Sequence, residues 1–195
     1  MDASLYRWIN DLARRTSWLH GPLELIAGPG IAVFALLLLV AYLDGRRRND
    51  PRAVAAAVWA GGAALVALAV AQVIGGLVGR ARPYDVLGNV QVLVARTTDV
   101  SFPSDHATTA GAVAGGLLLA NRRIGLVAAV AAVIMAAARV YVGAHYPGDV
   151  VAGLALGGAV AVAGHALVVP VLGRLVERLS VTPLGRLVRT APRPA

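Results

Sequence analysis

The chain has no cysteine and no lysine. The first absence removes disulfides, thiolate metal sites and cysteine nucleophiles together. The second leaves all 18 basic side chains as arginine, a planar donor fork that keeps its charge at any accessible pH. Charge is scarce altogether, at 14% of residues, and aromatics at 5%, while hydrophobic residues reach 58%. A soluble domain carries about a quarter charged residues, so this composition points to a membrane protein. No linker-like stretch divides the sequence, which reads as one unit over residues 1–195. The net charge of +8 does not imply a nucleic-acid partner. The arginines fall between apolar runs instead of forming an aromatic-studded stripe. The first twenty residues carry Asp2, Arg7, Asp11, Arg14 and Arg15 and lack the apolar core of a signal peptide.

What is present is a series of apolar runs: Pro22–Leu43, Ala53–Val78, Ala107–Ala120, Ile124–Val142 and Val150–Leu172. A bilayer core needs roughly 20 apolar residues in a helix. The third run reaches that length only from about Ser104, with polar residues at its mouth. Residues 1–20 differ. Leu5, Trp8, Ile9 and Leu12 recur at helical spacing beside Tyr6 and Trp18, as in an amphipathic helix lying on a membrane surface. The expected fold is an all-α integral membrane bundle of five to six helices with an N-terminal amphipathic helix. Arginines at 46–48, 52, 122, 123 and beyond 174 mark one face as cytoplasmic, with 174–195 as a basic tail. The N-terminus and the segments 79–104 and 143–149 then face outward. Glycine pairs Gly75/Gly79, Gly111/Gly115 and Gly153/Gly157 have the spacing of close helix contacts.

Three polar islands interrupt the apolar chain, and this topology puts all three at the outer ends of helices. They are Gly79-Arg-Ala-Arg-Pro83, Ser101-Phe-Pro-Ser-Asp-His106, and Arg139 through His145 to Asp149. His145 and Asp149 are four apart, so a helical start stacks them on one face, where Asp149 can orient the ring and leave its other nitrogen as nucleophile or base. Arg139 and Arg82 suit a phosphate. Ser104 is a natural N-cap, and the free amides of the following turn attract an anion. His106 in that turn is placed to protonate a leaving oxygen and then activate water. Asp105 is either part of that anion site or a first-turn helix charge. His165 reads as a packing residue, His20 as interfacial, and Gln72 as an interhelical hydrogen-bonder.

These islands resemble the three signature motifs of the type 2 phosphatidic acid phosphatase superfamily. The segments Ser101–His106 and Arg139–Val150 resemble its undecaprenyl-diphosphate phosphatase branch in particular. The resemblance implies a nucleophilic His145 that becomes phosphorylated, supported by Asp149, with His106 as general acid. It implies phosphate binding by Arg82, Ser104 and Arg139, and no metal or other cofactor. The implied substrate is a membrane lipid phosphate or diphosphate, with undecaprenyl diphosphate first, whose hydrolysis recycles the carrier lipid of cell-wall synthesis. Phosphatidate, phosphatidylglycerophosphate and polyprenyl phosphosugar phosphates are the alternatives, and a non-catalytic anionic-lipid transporter or sensor is a further one. The family's first motif opens with lysine where this chain has Gly75. Asp105 replaces the usual glycine, as the diphosphatase branch does, and Ala138 replaces a serine. Arg80 reads either as the missing cation or as an interfacial anchor.

Overall fold

Within a bilayer a helix satisfies every backbone hydrogen bond internally. The computed structural model, which describes residues 1–188, is helical wherever it is regular, with no strand among the described residues. Its helices are α1 (Asp2–Arg15), α2 (His20–Ala27), α3 (Ala32–Arg47), α4 (Pro51–Val78), α5 (Pro83–Val86), α6 (Asp105–Ala120), α7 (Arg122–Tyr141) and α8 (Pro147–Ser180). The segments Pro29–Arg47, Pro51–Val86, Arg122–Tyr141 and Pro147–Ser180 are long and apolar enough to cross a membrane. Helix α6 has 16 residues, about 24 Å of rise, and packs against α4, α7 and α8 as the inner helix. The protein is an all-α, multi-pass membrane protein.

Helix ends explain the connections. Asp50 caps α4 by accepting from the amides of Arg52 and Ala53, and Asn121 caps α7 through the amides of Arg123 and Ile124. Asn121 also donates to Asp44 at 3.1 Å, which ties the α3 and α7 ends at the arginine-rich face. Gly79 closes α4 in the left-handed conformation, with φ of +59°.

The first apolar run is not one helix. The Gly28-Pro29-Gly30 sequence breaks it, because Pro29 cannot donate to the ladder; α2 ends at Ala27 and the crossing segment starts at Pro29. At the other end α8 continues past Leu172 to Ser180, so residues 174–180 are its last turns, followed by a 3₁₀ turn at Pro183–Leu187. Arg189 and Arg193 lie outside the described residues.

Two of the glycine pairs meet. A Cβ on Gly153 would stand 2.7 Å from the Ser104 carbonyl oxygen, one on Gly111 would stand 2.5 Å from the Leu154 carbonyl oxygen, and one on Gly157 would overlap the Thr108 carbonyl oxygen. Helices α6 and α8 are therefore in backbone contact, which brings Ser104 and Asp149 together: the Ser104 amide donates to the Asp149 carbonyl at 3.1 Å. Trp59 of α4 fills the space above Gly164 and donates to the Ala161 carbonyl at 2.9 Å. Helix α1 docks on α7 and α8 through buried Tyr6, Asn10 and Ala13. Leu5, Trp8 and Leu12 on its other side are exposed.

Candidate active site

The ends of α4, α6, α7 and α8, with the segments between them, bring all three islands together. His145 is 3% exposed, in the short turn between α7 and α8. Gly143, at φ of +84°, makes that turn possible; a Cβ there would overlap the Gln91 carbonyl oxygen. The Nδ1 of His145 lies 2.8 Å from the Ser101 carbonyl oxygen. Its Nε2 lies 3.2 Å from Arg139 Nη2 and 3.4 Å from Arg82 Nη1. A carbonyl only accepts and a guanidinium only donates. Both sets of contacts therefore select one tautomer, with the proton on Nδ1 and the lone pair of Nε2 facing the two arginines. Burial, and then the charges of Arg139 and Arg82, hold the imidazole well below its ordinary value of 6.5.

Asp149 is fully buried, and its carboxylate does not reach the ring within hydrogen-bonding distance: Oδ2 stands 3.9 Å from Nδ1. It accepts instead from Ser101 Oγ at 2.6 Å, from the Tyr146 amide at 2.9 Å and from Arg80 Nη1 at 2.7 Å. The direct His145–Asp149 hydrogen bond expected from their spacing is replaced by a bridge through Ser101. The reason is that Asp149 is committed to closing the first turn of α8.

Arg82 donates from Nε to the Asp99 carbonyl at 3.0 Å and from Nη1 to the Ala144 carbonyl at 3.2 Å. Arg139 donates to the Ala27 carbonyl at 3.0 Å, at the end of α2, and its Nε is buried with no partner. These backbone acceptors fix the guanidinium planes and carry no full charge to neutralise them. Arg80 is different. Its nitrogens are taken by Asp149 and Asp2, so it braces carboxylates and does not stand open to an anion.

Ser104 occupies the N-cap of α6, but its side chain makes no capping bond, and its buried Oγ has no partner. His106 is half-buried in the first turn of α6, within electrostatic range of Arg139, Arg82 and His145. Asp105 is exposed and accepts two 3.0 Å hydrogen bonds from Gln72 of α4, the interhelical partner expected of Gln72. His165 lies apart from this cluster, with Nδ1 buried and unpartnered, beside a groove of about 530 Å³ at the opposite end of the bundle. His20 contacts the Ala13 carbonyl at 2.8 Å.

The sequence pattern did not single out Ser101 as a bridge, nor Asp2 as a partner of Arg80. Ser101 was visible as the first residue of its island, but its carbonyl is a backbone group that any residue supplies. Gly75, at the position of the family lysine, is where the 100–103 loop rests on α4: a Cβ would meet the Phe102 carbonyl oxygen and Val100 Cγ2, both at 3.0 Å.

Residues 56–171 match the family model described as the PAP2 superfamily. Over 154 residues the chain is 30% identical to the undecaprenyl-diphosphatase BcrC of Bacillus subtilis, covering 79% of this chain and 77% of that protein. It is 41% identical over 128 residues to the decaprenylphosphoryl-5-phosphoribose phosphatase of Mycobacterium tuberculosis, covering 64% of this chain and 65% of that one. Its fold is similar to the crystal structure of the transmembrane PAP2-type phosphatidylglycerolphosphate phosphatase of Bacillus subtilis. The TM-score is 0.62 at 21% identity, over 93% of this chain and 87% of that one.

Proposed function

The chain belongs to the PAP2 superfamily and is a membrane lipid phosphatase, and from that premise we propose that it hydrolyses a polyprenyl diphosphate, undecaprenyl diphosphate first, to the monophosphate. The observation that carries the reading is the convergence of Arg82 and Arg139 on the Nε2 lone pair of His145 while Ser101 holds the opposite nitrogen. An anionic phosphoryl group entering between the two guanidinium groups takes over their N–H donors and meets that lone pair.

Nε2 of His145 attacks phosphorus, and the bond from phosphorus to the bridging oxygen breaks. His106 delivers a proton to the departing oxygen. The phosphorylated ring carries positive charge, which the Asp149 carboxylate offsets from 3.9 Å and the Ser101 carbonyl steadies through the Nδ1 proton. His106 then takes a proton from water, whose oxygen attacks phosphorus; the phosphorus–nitrogen bond breaks and inorganic phosphate leaves. Ser104 Oγ, unpartnered in its buried site, adds a donor to the phosphoryl oxygens. Asp105 is oriented by Gln72 at the rim. No step requires a metal. Arginines at 46–48, 52, 122 and 123 gather at the end of the bundle away from the site, which supports an extracytoplasmic active site in a cell membrane and a carrier-lipid recycling role in cell-wall synthesis. The exposed Leu5, Trp8 and Leu12 support an α1 that lies on the membrane surface.

The 41% identity to a polyprenyl-phosphoribose phosphatase favours a second reading, a polyprenyl phosphosugar monoester. The two differ in leaving group. A phosphate monoester departs without much help, whereas an alkoxide needs the His106 proton. Purified protein assayed on both lipids, with phosphatidate and phosphatidylglycerophosphate alongside and EDTA present, decides between them. The first reading expects fastest turnover of the diphosphate, abolished by His145→Ala and only moderately slowed by His106→Ala. Faster turnover of the phosphosugar ester, or silence in chelator, overturns it.

A further inference from the structure

Asp2 stands 147 positions from Asp149 in sequence, yet it is hydrogen-bonded into the same cluster. Its Oδ2 accepts from Arg80 Nη2 at 2.6 Å, and its Oδ1 accepts from the Gly148 amide at 2.8 Å. The other end of the Arg80 fork holds Asp149 at 2.7 Å, and its guanidinium carbon lies 4.0 Å from the Tyr146 ring centroid. Asp149 in turn fixes Ser101, whose carbonyl fixes the His145 ring. The path from the first turn of α1 to the imidazole is thus Asp2, Arg80, Asp149, Ser101, His145, with a hydrogen bond at every step and no water needed.

The rest of α1 grips the same region. Tyr6, fully buried, donates to the Gly143 carbonyl at 3.3 Å. Asn10, 2% exposed, donates to the Gln91 carbonyl at 2.7 Å and accepts from the Gln91 amide at 2.8 Å. A helix that only coated the bundle would dock through apolar contacts. This one spends its inward polar groups on the backbone of the catalytic turn and of the loop beneath it. The Arg80 side chain is 31% exposed, so a guanidinium released at Nη2 has solvent to follow, and Asp149 then loses the fixed direction of its only cationic partner among the described residues.

We infer that Asp2 is a positioning residue for the reaction: it acts through Arg80 and Gly148 to hold the 145–149 turn at the geometry in which Nε2 meets phosphorus. The inference rests on His145 being the nucleophile. It is tested with full-length protein, purified in detergent by a C-terminal tag, as wild type, Asp2→Asn, Asp2→Glu, Arg80→Gln and the Asp2→Asn/Arg80→Gln pair. Misplacement without lost binding predicts that Asp2→Asn lowers kcat roughly ten- to a hundredfold, with KM and the thermal midpoint little changed. Asp2→Glu recovers part of the loss. Because the two residues share one path, the double variant falls short of the product of the single factors. Wild-type kcat in Asp2→Asn overturns the inference, as does a loss matched by a fall in folded fraction, or factors that multiply. A wild-type protein inactive on every lipid phosphate overturns the functional reading instead, and this inference with it.

Discussion

Ser101 joins His145 to Asp149: its carbonyl accepts the Nδ1 proton at 2.8 Å and its hydroxyl donates to Oδ2 at 2.6 Å, while the ring and the carboxylate stay 3.9 Å apart. One residue thus sets the tautomer with its backbone and the carboxylate with its side chain. Ser101→Ala separates these roles. It keeps the carbonyl and deletes the hydroxyl, leaving a buried carboxylate oxygen short of one donor at a cost of about 1–3 kcal/mol. The expected result is a kcat lower by about tenfold, equivalent to ~1.4 kcal/mol of barrier, with the tautomer retained. Proton NMR of a ring-labelled protein showing the proton moved to Nε2 would contradict it.

Burial and the two guanidinium charges depress the His145 pKa, so the neutral ring, the proposed nucleophile, persists below 6.5. The acid limb of kcat/KM assigned to this group therefore lies below 6.5, and activity does not halve there. Replacing Arg139 by Gln removes a positive charge that disfavours the imidazolium. The pKa then rises toward 6.5, and the limb moves upward in pH even as the rate falls. A pH–rate profile of the two proteins checks both the position and the direction. An unmoved limb in Arg139→Gln would count against this electrostatic account.

Gly75 invites restoration of the family lysine, but the geometry argues otherwise. The Phe102 carbonyl and Val100 methyl stand 3.0 Å from where a Cβ would sit, and they belong to the loop that carries Ser101. Gly75→Ala should cost about 1–3 kcal/mol of stability by overpacking and lower kcat with the displaced loop. Full activity with an unchanged melting midpoint would show that the loop can yield.

Gly157 and Gly158 are neighbours with opposite expectations. A methyl at 157 overlaps the Thr108 carbonyl oxygen, whereas at 158 the nearest atom is the Gly111 carbonyl oxygen at 3.9 Å. Gly157→Ala should lower the midpoint by several degrees, at about 2–4 °C per kcal/mol, and lower activity because α6 carries Ser104 and His106 at its start and α8 carries Asp149. Gly158→Ala should match wild type. Equal midpoints for the two variants would contradict the tight α6–α8 contact.

Much of this was legible in the chain because hydropathy and chemistry are segregated. In so apolar a sequence, the clustering of Arg82, Ser104, His106, Arg139, His145 and Asp149 at helix ends is conspicuous, and the structure gathers those residues at one end of the bundle. What the chain did not reveal falls into two physical kinds. The Ser101 and Ala27 carbonyls that hold His145 and Arg139 are backbone groups, without a residue-type signature. Asp2 is an ordinary surface carboxylate until the path of α1 brings it to Arg80. The broken first span was a matter of weighting. Gly28-Pro29-Gly30 announces a turn, but the hydrophobic run around it is long enough to conceal one.

A hull that carries a broad oily ledge has a waterline. Leu5, Trp8 and Leu12 form such a ledge on the helix that grips the 145–149 turn, and on the proposed surface placement of α1 that ledge sets the draught of the turn. Phosphorus presented at that height is within reach, while the hydrocarbon behind it stays among neighbouring lipids. On the proposed function, discrimination then falls on the head of the substrate, and its tail is free to vary.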